Sequence, residues 1–511
     1  MIISPSRLWN DFDPYGLSSE INILSEGGGD SGCKRFYFTA LIAEDGRVRA
    51  YAELDVALAG APVVLVIGGA AARPYAERLR AEGYSTMLVD LCGGRTLYPR
   101  SLADCARRGG LYTAANGERK SPWYVWAAVG MRAISALKYF KACAGARVAA
   151  AGIGVGAYAA LMIAAFDGRI CATIFAPGLG GDFNFTEPDM QAPGYDRYSV
   201  ALAPAAYIRS VKSPVFFMQG TNDGFFETAA QIYGGINPFV YTWFSVSAGA
   251  SGEVNYQNAK NDLAYLRFFL LSEGRLEGKP KVTVTQAEKE VKIAVRYESE
   301  PESATLYYSY TEQGKYAYWQ RAESKDGGFT VPAYLHRSDF FITYNTGGVC
   351  YSTAVYNGEP RPKAKLISER LLYTHGETAQ PFSASGAGLF HTAPEVETGQ
   401  RGCAAPHGWL TTTITADPRY SGFDEDSLSV MVSAAPGTKV TVKAVVPGKN
   451  GALTEYFTES LAMRGAEALT LGAGDFRKSG GAPLGSFVDV ASVALRGPSD
   501  GDISVVSMLW V

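Results

Sequence analysis

Histidine is scarce in this chain and unevenly placed. Its 511 residues hold four, His336, His375, His391 and His407, so none precedes position 336. No charge of one sign dominates either. Lys and Arg number 47 against 50 Asp and Glu, and a formal net charge of −3 gives no electrostatic reason to expect nucleic acid or a membrane surface as partner. The seven cysteines (Cys33, Cys92, Cys105, Cys143, Cys171, Cys350, Cys403) are odd in number and widely spread. They show neither the pairing of a disulfide framework nor the spacing of a metal site, so reduced thiols are expected. The histidines form no HxxxH or Cys-His pattern, so no metal is expected, and no cofactor. No apolar run approaches the roughly 18 residues that span a bilayer. The N-terminus, Met1 to Trp9, has no basic segment followed by an apolar core, so a cytoplasmic protein without a signal peptide is expected.

What is present is a long chain with 47% apolar residues and 57 glycines, too long for one core. Residues 34–42 and 47–54, joined by Glu44-Asp45-Gly46, read as a hairpin. Apolar strands at 62–69, 85–90, 148–151, 170–175, 213–219 and 241–246 then alternate with helical segments at 74–82, 122–142 and 258–271. Such alternation predicts an α/β domain over 1–275, a doubly wound parallel sheet with helices on both faces. From Pro280 short β segments with turn signals predict a small sandwich over 280–358. After the linker Gly358 to Lys363, a jelly-roll-like sandwich is predicted over 364–511.

The central stretch is Ala146 to Phe166, a buried strand, a glycine turn and an Ala-rich helix. Its turn, Gly152-Ile153-Gly154-Val155-Gly156, has the glycine frame of the nucleophile elbow Gly-x-Ser-x-Gly, with Gly154 where the serine stands. A dinucleotide fingerprint through Gly152, Gly154 and Ala157 fits less well. That motif needs a carboxylate after the next strand, and the sequence there is Ile174-Phe-Ala-Pro177.

The elbow reading predicts the rest of a triad in chain order. Asp223, after the 213–219 strand, stands in the acid's place, although Asn222-Asp223-Gly224 is also an ordinary turn. The oxyanion hole would take amides from Gly69-Ala70 and from Val155. The histidine belongs in Ser247 to Asn255, where there is none; Glu253 is the one acidic residue in that loop. Cys92 and Cys105 are candidate nucleophiles by residue type, with buried inert thiols as the bland reading.

Trp126, Arg132-Ala-Ile-Ser-Ala-Leu137, Arg147 to Gly152, the glycine elbow and Asp167-Gly-Arg-Ile170 resemble the acetyl xylan esterase and cephalosporin C deacetylase group of α/β-hydrolases over residues 60–272. The resemblance implies an α/β-hydrolase domain in which Gly154 occupies the nucleophile's place and Asp223 the acid's, with no residue filling the histidine's. Thr438 to Ala444, Ala473 to Phe476, Phe487 to Leu495 and Met508-Leu-Trp510 resemble galactose-binding-like carbohydrate-binding modules. That second resemblance makes Trp409, Phe390 and Tyr420 candidate sugar-stacking residues, against a reading of each as core. Three functions are open at this point. One is a catalytically impaired hydrolase that binds a carbohydrate or acylated sugar, a second is an esterase with a non-standard site, and a third is a protein-interaction scaffold.

Overall fold

The computed structural model describes residues 3–15, 20–26, 32–69, 72–92, 94–107, 114–176, 191, 193–222, 230, 233–236, 239–248, 260–311, 316–324, 327–361, 369–378, 381–385, 397–399, 402–404, 408–448, 453–499 and 501–511. Nine strands build the first sheet: β1 (Ile21–Glu26), β2 (Cys33–Ala43), β3 (Gly46–Asp55), β4 (Val63–Gly68), β5 (Ser85–Asp90), β6 (Val148–Ile153), β7 (Ile170–Ala176), β8 (Val215–Gly220) and β9 (Thr242–Ser247). Their order is β1-β2-β3-β5-β4-β6-β7-β8-β9. From β5 to β9 every pairing is parallel, while β1, β2 and β3 join antiparallel. The sheet is thus mixed: the predicted hairpin of β2 and β3 adds antiparallel strands to the parallel set, because a tight turn permits only an antiparallel return.

Helices α1 (Pro5–Trp9), α2 (Ala72–Ala81), α3 (Ala103–Arg107), α4 (Pro122–Ala136), α5 (Gly156–Phe166), α6 (Tyr195–Ala201) and α7 (Asn261–Leu266) accompany this sheet. All six residues of β4 are buried, and successive side chains serve opposite faces. Val63, Leu65 and Ile67 pack with α4 and α5, whereas Val64 and Val66 pack with α2 and α7. A strand covered on both faces has to be apolar throughout, which is why β4 and β6 read as runs rather than alternations. The predicted helix over 122–142 is α-helical to Ala136 and finishes in two 3₁₀ turns; that over 258–271 is α-helical from Asn261 and ends in a π-helical turn.

Eight short strands follow: β10 (Lys281–Gln286), β11 (Glu290–Arg296), β12 (Ser303–Ser309), β13 (Gln320–Glu323), β14 (Gly328–Pro332), β15 (Ser338–Thr346), β16 (Val349–Ser352) and β17 (Tyr356–Gly358). They form two antiparallel sheets, β10-β11-β14 and β13-β12-β15-β16, with β17 on β15. The remaining strands are β18 (Leu371–Thr374), β19 (Phe382–Ser385), β20 (Glu397–Gly399), β21 (Gly402–Ala404), β22 (Trp409–Thr412), β23 (Ser427–Ala434), β24 (Thr438–Pro447), β25 (Leu453–Ala462), β26 (Ala466–Gly472), β27 (Ser492–Arg496) and β28 (Ile503–Trp510). They give sheets β20-β21-β28-β23-β26, with β18 on β28, and β19-β22-β27-β24-β25. Between these two sheets lies one apolar cluster that includes Val430, Val442, Phe487 and Trp510.

The first sandwich is joined to the free edge of the large sheet. Ser352 Oγ accepts from the Val246 amide at 2.9 Å, and Ser245 Oγ donates to the Cys350 carbonyl at 3.2 Å. Asn261 adds to this seam by accepting from the Cys350 amide at 3.0 Å and donating to its carbonyl at 2.7 Å. An edge strand otherwise presents unpaired amides and carbonyls, so Ser352 satisfies an amide that β9 leaves open and Asn261 satisfies the Cys350 backbone on β16.

Candidate functional site

The turn after β6 has the geometry of an elbow. Gly154 sits at φ +59°, in the left-handed region that L side chains rarely adopt. Glycine is required on either side for a different reason. A Cβ on Gly152 would lie 2.4 Å from the Ala157 Cα, and one on Gly156 would lie 2.0 Å from the Ile67 carbonyl oxygen. The frame therefore packs helix α5 directly against strands β6 and β4. Val155 opens α5 and is buried, so its amide stands in the first helical turn, where backbone donors lack intrahelical acceptors. Gly69 follows β4 and accepts from the Ala72 amide at 3.0 Å. Ala70, Asp223, Glu253 and Phe390 fall outside the described residues.

Beyond β8 the chain is committed to structural bonds. The Thr221 amide donates to the Ser247 carbonyl at 3.0 Å, which ties the β8 and β9 ends together. Thr221 Oγ1 donates to Asn222 Oδ1 at 2.8 Å, and Asn222 Nδ2 donates to the Ala317 carbonyl at 2.9 Å in the first sandwich. Residues 248–260 contain no histidine. His336 lies against Tyr334 with ring centroids 5.6 Å apart, and His375 Nδ1 is 3.1 Å from the Tyr373 hydroxyl, whereas His391 and His407 fall outside the described residues.

Among the described residues, the Cys105 thiol and the Glu53 carboxyl are both held in structural roles. All seven cysteines are free, and burial together with Asp104 pushes the Cys105 thiol up to about 12, so it stays protonated near neutrality. Glu53 is buried and accepts from both Arg73 guanidinium nitrogens at 2.9 and 2.7 Å, from Arg95 at 2.9 Å and from Tyr51 at 2.8 Å. Desolvation opposes its charge, but the hydrogen bonds from Arg73 and Tyr51 outweigh that and hold the carboxyl below its ordinary value. Such a satisfied cluster is a structural lock. Among the described residues no group of three His, Cys, Asp or Glu could hold a metal ion.

One cavity of about 620 Å³ opens beside the β8 and β9 ends, within the size range of ligand pockets. Its lining combines Asn222 and Ala248 with Tyr307, residues 317–321 and parts of the C-terminal sandwich, including Phe382, Thr411 and Tyr420. Tyr420 is therefore placed at a cavity, with its ring edge-on to Tyr318 at 6.1 Å. Trp409 does not line it. Its indole lies 4.5 Å from the Arg496 guanidinium and 4.9 Å from the Lys443 ammonium. Burial raises the Tyr318 and Tyr420 phenols above their ordinary value, so both remain neutral hydroxyls.

Sequence reasoning missed Tyr307, Trp319 and Arg321. Arg321 stands on β13 directly opposite Tyr307 on β12, with Trp319 just before β13, a pairing between strands that the sequence does not announce.

No family model matches the chain, and no curated protein does. Among solved structures it is similar to acetyl xylan esterase 1 from a Thermoanaerobacterium species at 15% identity, covering 53% of this chain and 95% of that one, with a TM-score of 0.40. An acetyl xylan esterase from a Paenibacillus species matches at 14% identity over 52% of this chain and 91% of its own, TM-score 0.36. A dienelactone hydrolase from Anabaena variabilis matches at 19% identity over 48% and 99%, TM-score 0.33. The assignment of the first nine strands to the α/β-hydrolase fold rests on strand order, two-sided helix packing and the elbow, not on these likenesses.

Proposed function

We propose that this chain is an α/β-hydrolase-fold protein without serine-hydrolase turnover, which acts by binding carbohydrate. The observation that carries the reading is Gly154. The residue at the sharpest point of the elbow keeps the φ > 0 backbone but has no side chain to attack a carbonyl. The absence of histidine from residues 248–260 agrees with it, since no imidazole in that loop could accept the nucleophile's proton. Binding is supported by the cavity, whose walls combine aromatic faces with hydroxyl and amide groups, a pairing suited to a ring with apolar faces and a polar rim.

The test is hydrolysis of p-nitrophenyl acetate by the purified protein, beside Gly154→Ser and Asp223→Ala. The expected rate is background for all three, because a restored serine still lacks its base. A clear rate in the unmodified protein, lost in Asp223→Ala, would overturn the non-catalytic half of the proposal. Failure to bind any of a broad panel of glycans would overturn the other half.

A further inference from the structure

Arg321 is the one charged side chain among the described residues that line the cavity. Its guanidinium lies over the Tyr307 ring, 5.6 Å from the centroid. The neighbouring cation, Arg419, is by contrast consumed by Asp417, which takes two hydrogen bonds from it at 3.0 and 2.7 Å. Arg321 has no carboxylate partner among the described residues and is exposed.

Its surroundings are ordered. Tyr307 stacks on Phe341 with centroids 5.4 Å apart and planes at 17°, and Trp319 meets Phe341 edge-on at 5.0 Å. Arg321, Tyr307 and Phe341 are register partners on β13, β12 and β15, so one row of side chains crosses this face of the sheet. The face looks onto the carboxyl ends of parallel strands β8 and β9, where open α/β sheets hold their ligands.

We infer that this cavity binds an acidic sugar, an oligosaccharide carrying a uronate, with the carboxylate on Arg321, which the buried Tyr307 ring holds in place, and a ring face along Trp319. The planar guanidinium fork matches a carboxylate bidentately, and aromatic faces accept the C–H face of a pyranose. A phosphorylated ligand fits less well, because a single exposed guanidinium is the only charge offered among the described lining residues. The inference rests on the proposed carbohydrate-binding reading and names its ligand class.

The experiment is calorimetric titration of the full chain with trigalacturonate and with uncharged galactotriose, repeated on Arg321→Gln, Arg321→Lys and Trp319→Ala. Trigalacturonate is expected to bind at least about tenfold more tightly than the neutral sugar, since a charge-assisted bond contributes about that much or more. Arg321→Gln should erase the difference, Arg321→Lys should restore part of it, and Trp319→Ala should weaken both sugars. Equal affinity for the two sugars, lost on Trp319→Ala, would overturn the acidic preference and leave carbohydrate binding standing. Tight trigalacturonate binding that ignores Arg321→Gln and Trp319→Ala would place the site elsewhere and overturn the inference. Binding of neither sugar would also overturn it, while the ester assay separately decides the non-catalytic reading. Arg321→Gln is exposed and should melt like the parent protein, so a loss of binding there reports the site rather than the fold.

Discussion

The two halves of the sheet's carboxyl edge differ in what holds them. Around β4 and β6 the backbone is fixed by what cannot be present, namely a Cβ at Gly152 or Gly156. Around β8 and β9 it is fixed by side chains that reach into another part of the molecule, Asn222 to Ala317 and Asn261 to Cys350. In a working serine hydrolase both halves serve one triad. Here the first keeps the shape of an elbow with glycine at its point, and the second contributes Asn222 and Ala248 to the lining of a cavity shared with the sandwiches. Steric packing of a turn and chemistry at its tip are therefore separable: the first survives any change that leaves the glycines in place.

The contrast can be broken most severely at Gly156. Gly156→Ala forces a Cβ into the Ile67 carbonyl, and a backbone neighbour cannot swing aside. A loss of about 3 kcal/mol or more in denaturant unfolding is expected, with the large sheet losing its central packing. On the other half, Asn261→Ala leaves the buried Cys350 amide without its partner and its carbonyl with Ser245 Oγ alone, for about 2 kcal/mol. Hydrogen exchange should then rise along β9 and β16 while the elbow stays protected. The smallest of the three effects belongs to Gly154→Ala, which places a side chain at φ +59° and should cost about 1 kcal/mol. If Gly154→Ala proved as damaging as Gly156→Ala, the elbow tip would be held by packing rather than by conformation alone.

Much of this was legible in the sequence where the signal is local. The βα unit at Val148 to Phe166 announces itself through a buried run, a glycine frame and a helix, and β5 falls on the residues that its apolar pattern marks. Longer-range features were not legible. The order that seats β5 between β3 and β4 is marked by no residue pattern in the strands. Strand β25 escaped notice because it is a solvent-facing partner of β24 whose exposed positions mix Leu453, Glu455, Phe457, Glu459 and Leu461, which blurs the alternation. Of the candidate site, Gly154 lies at a left-handed turn between β6 and α5, and Val155 directly before α5. The cavity had no sequence signature, since Asn222, Arg321 and Tyr420 lie far apart in the chain and meet only because two sandwiches fold over the edge of the first sheet.

That seam between β9 and β16 also has a consequence for the order of synthesis. Ser352 leaves the ribosome about 105 residues after Ser247, an interval of roughly 5 to 20 seconds at ordinary elongation rates. Throughout it the last strand of the large sheet waits with its outer rim unshielded, open to pairing with a neighbouring nascent chain. The sandwich is thus the closing piece of this edge of the large sheet, which stays open to misassembly in the seconds before that piece arrives.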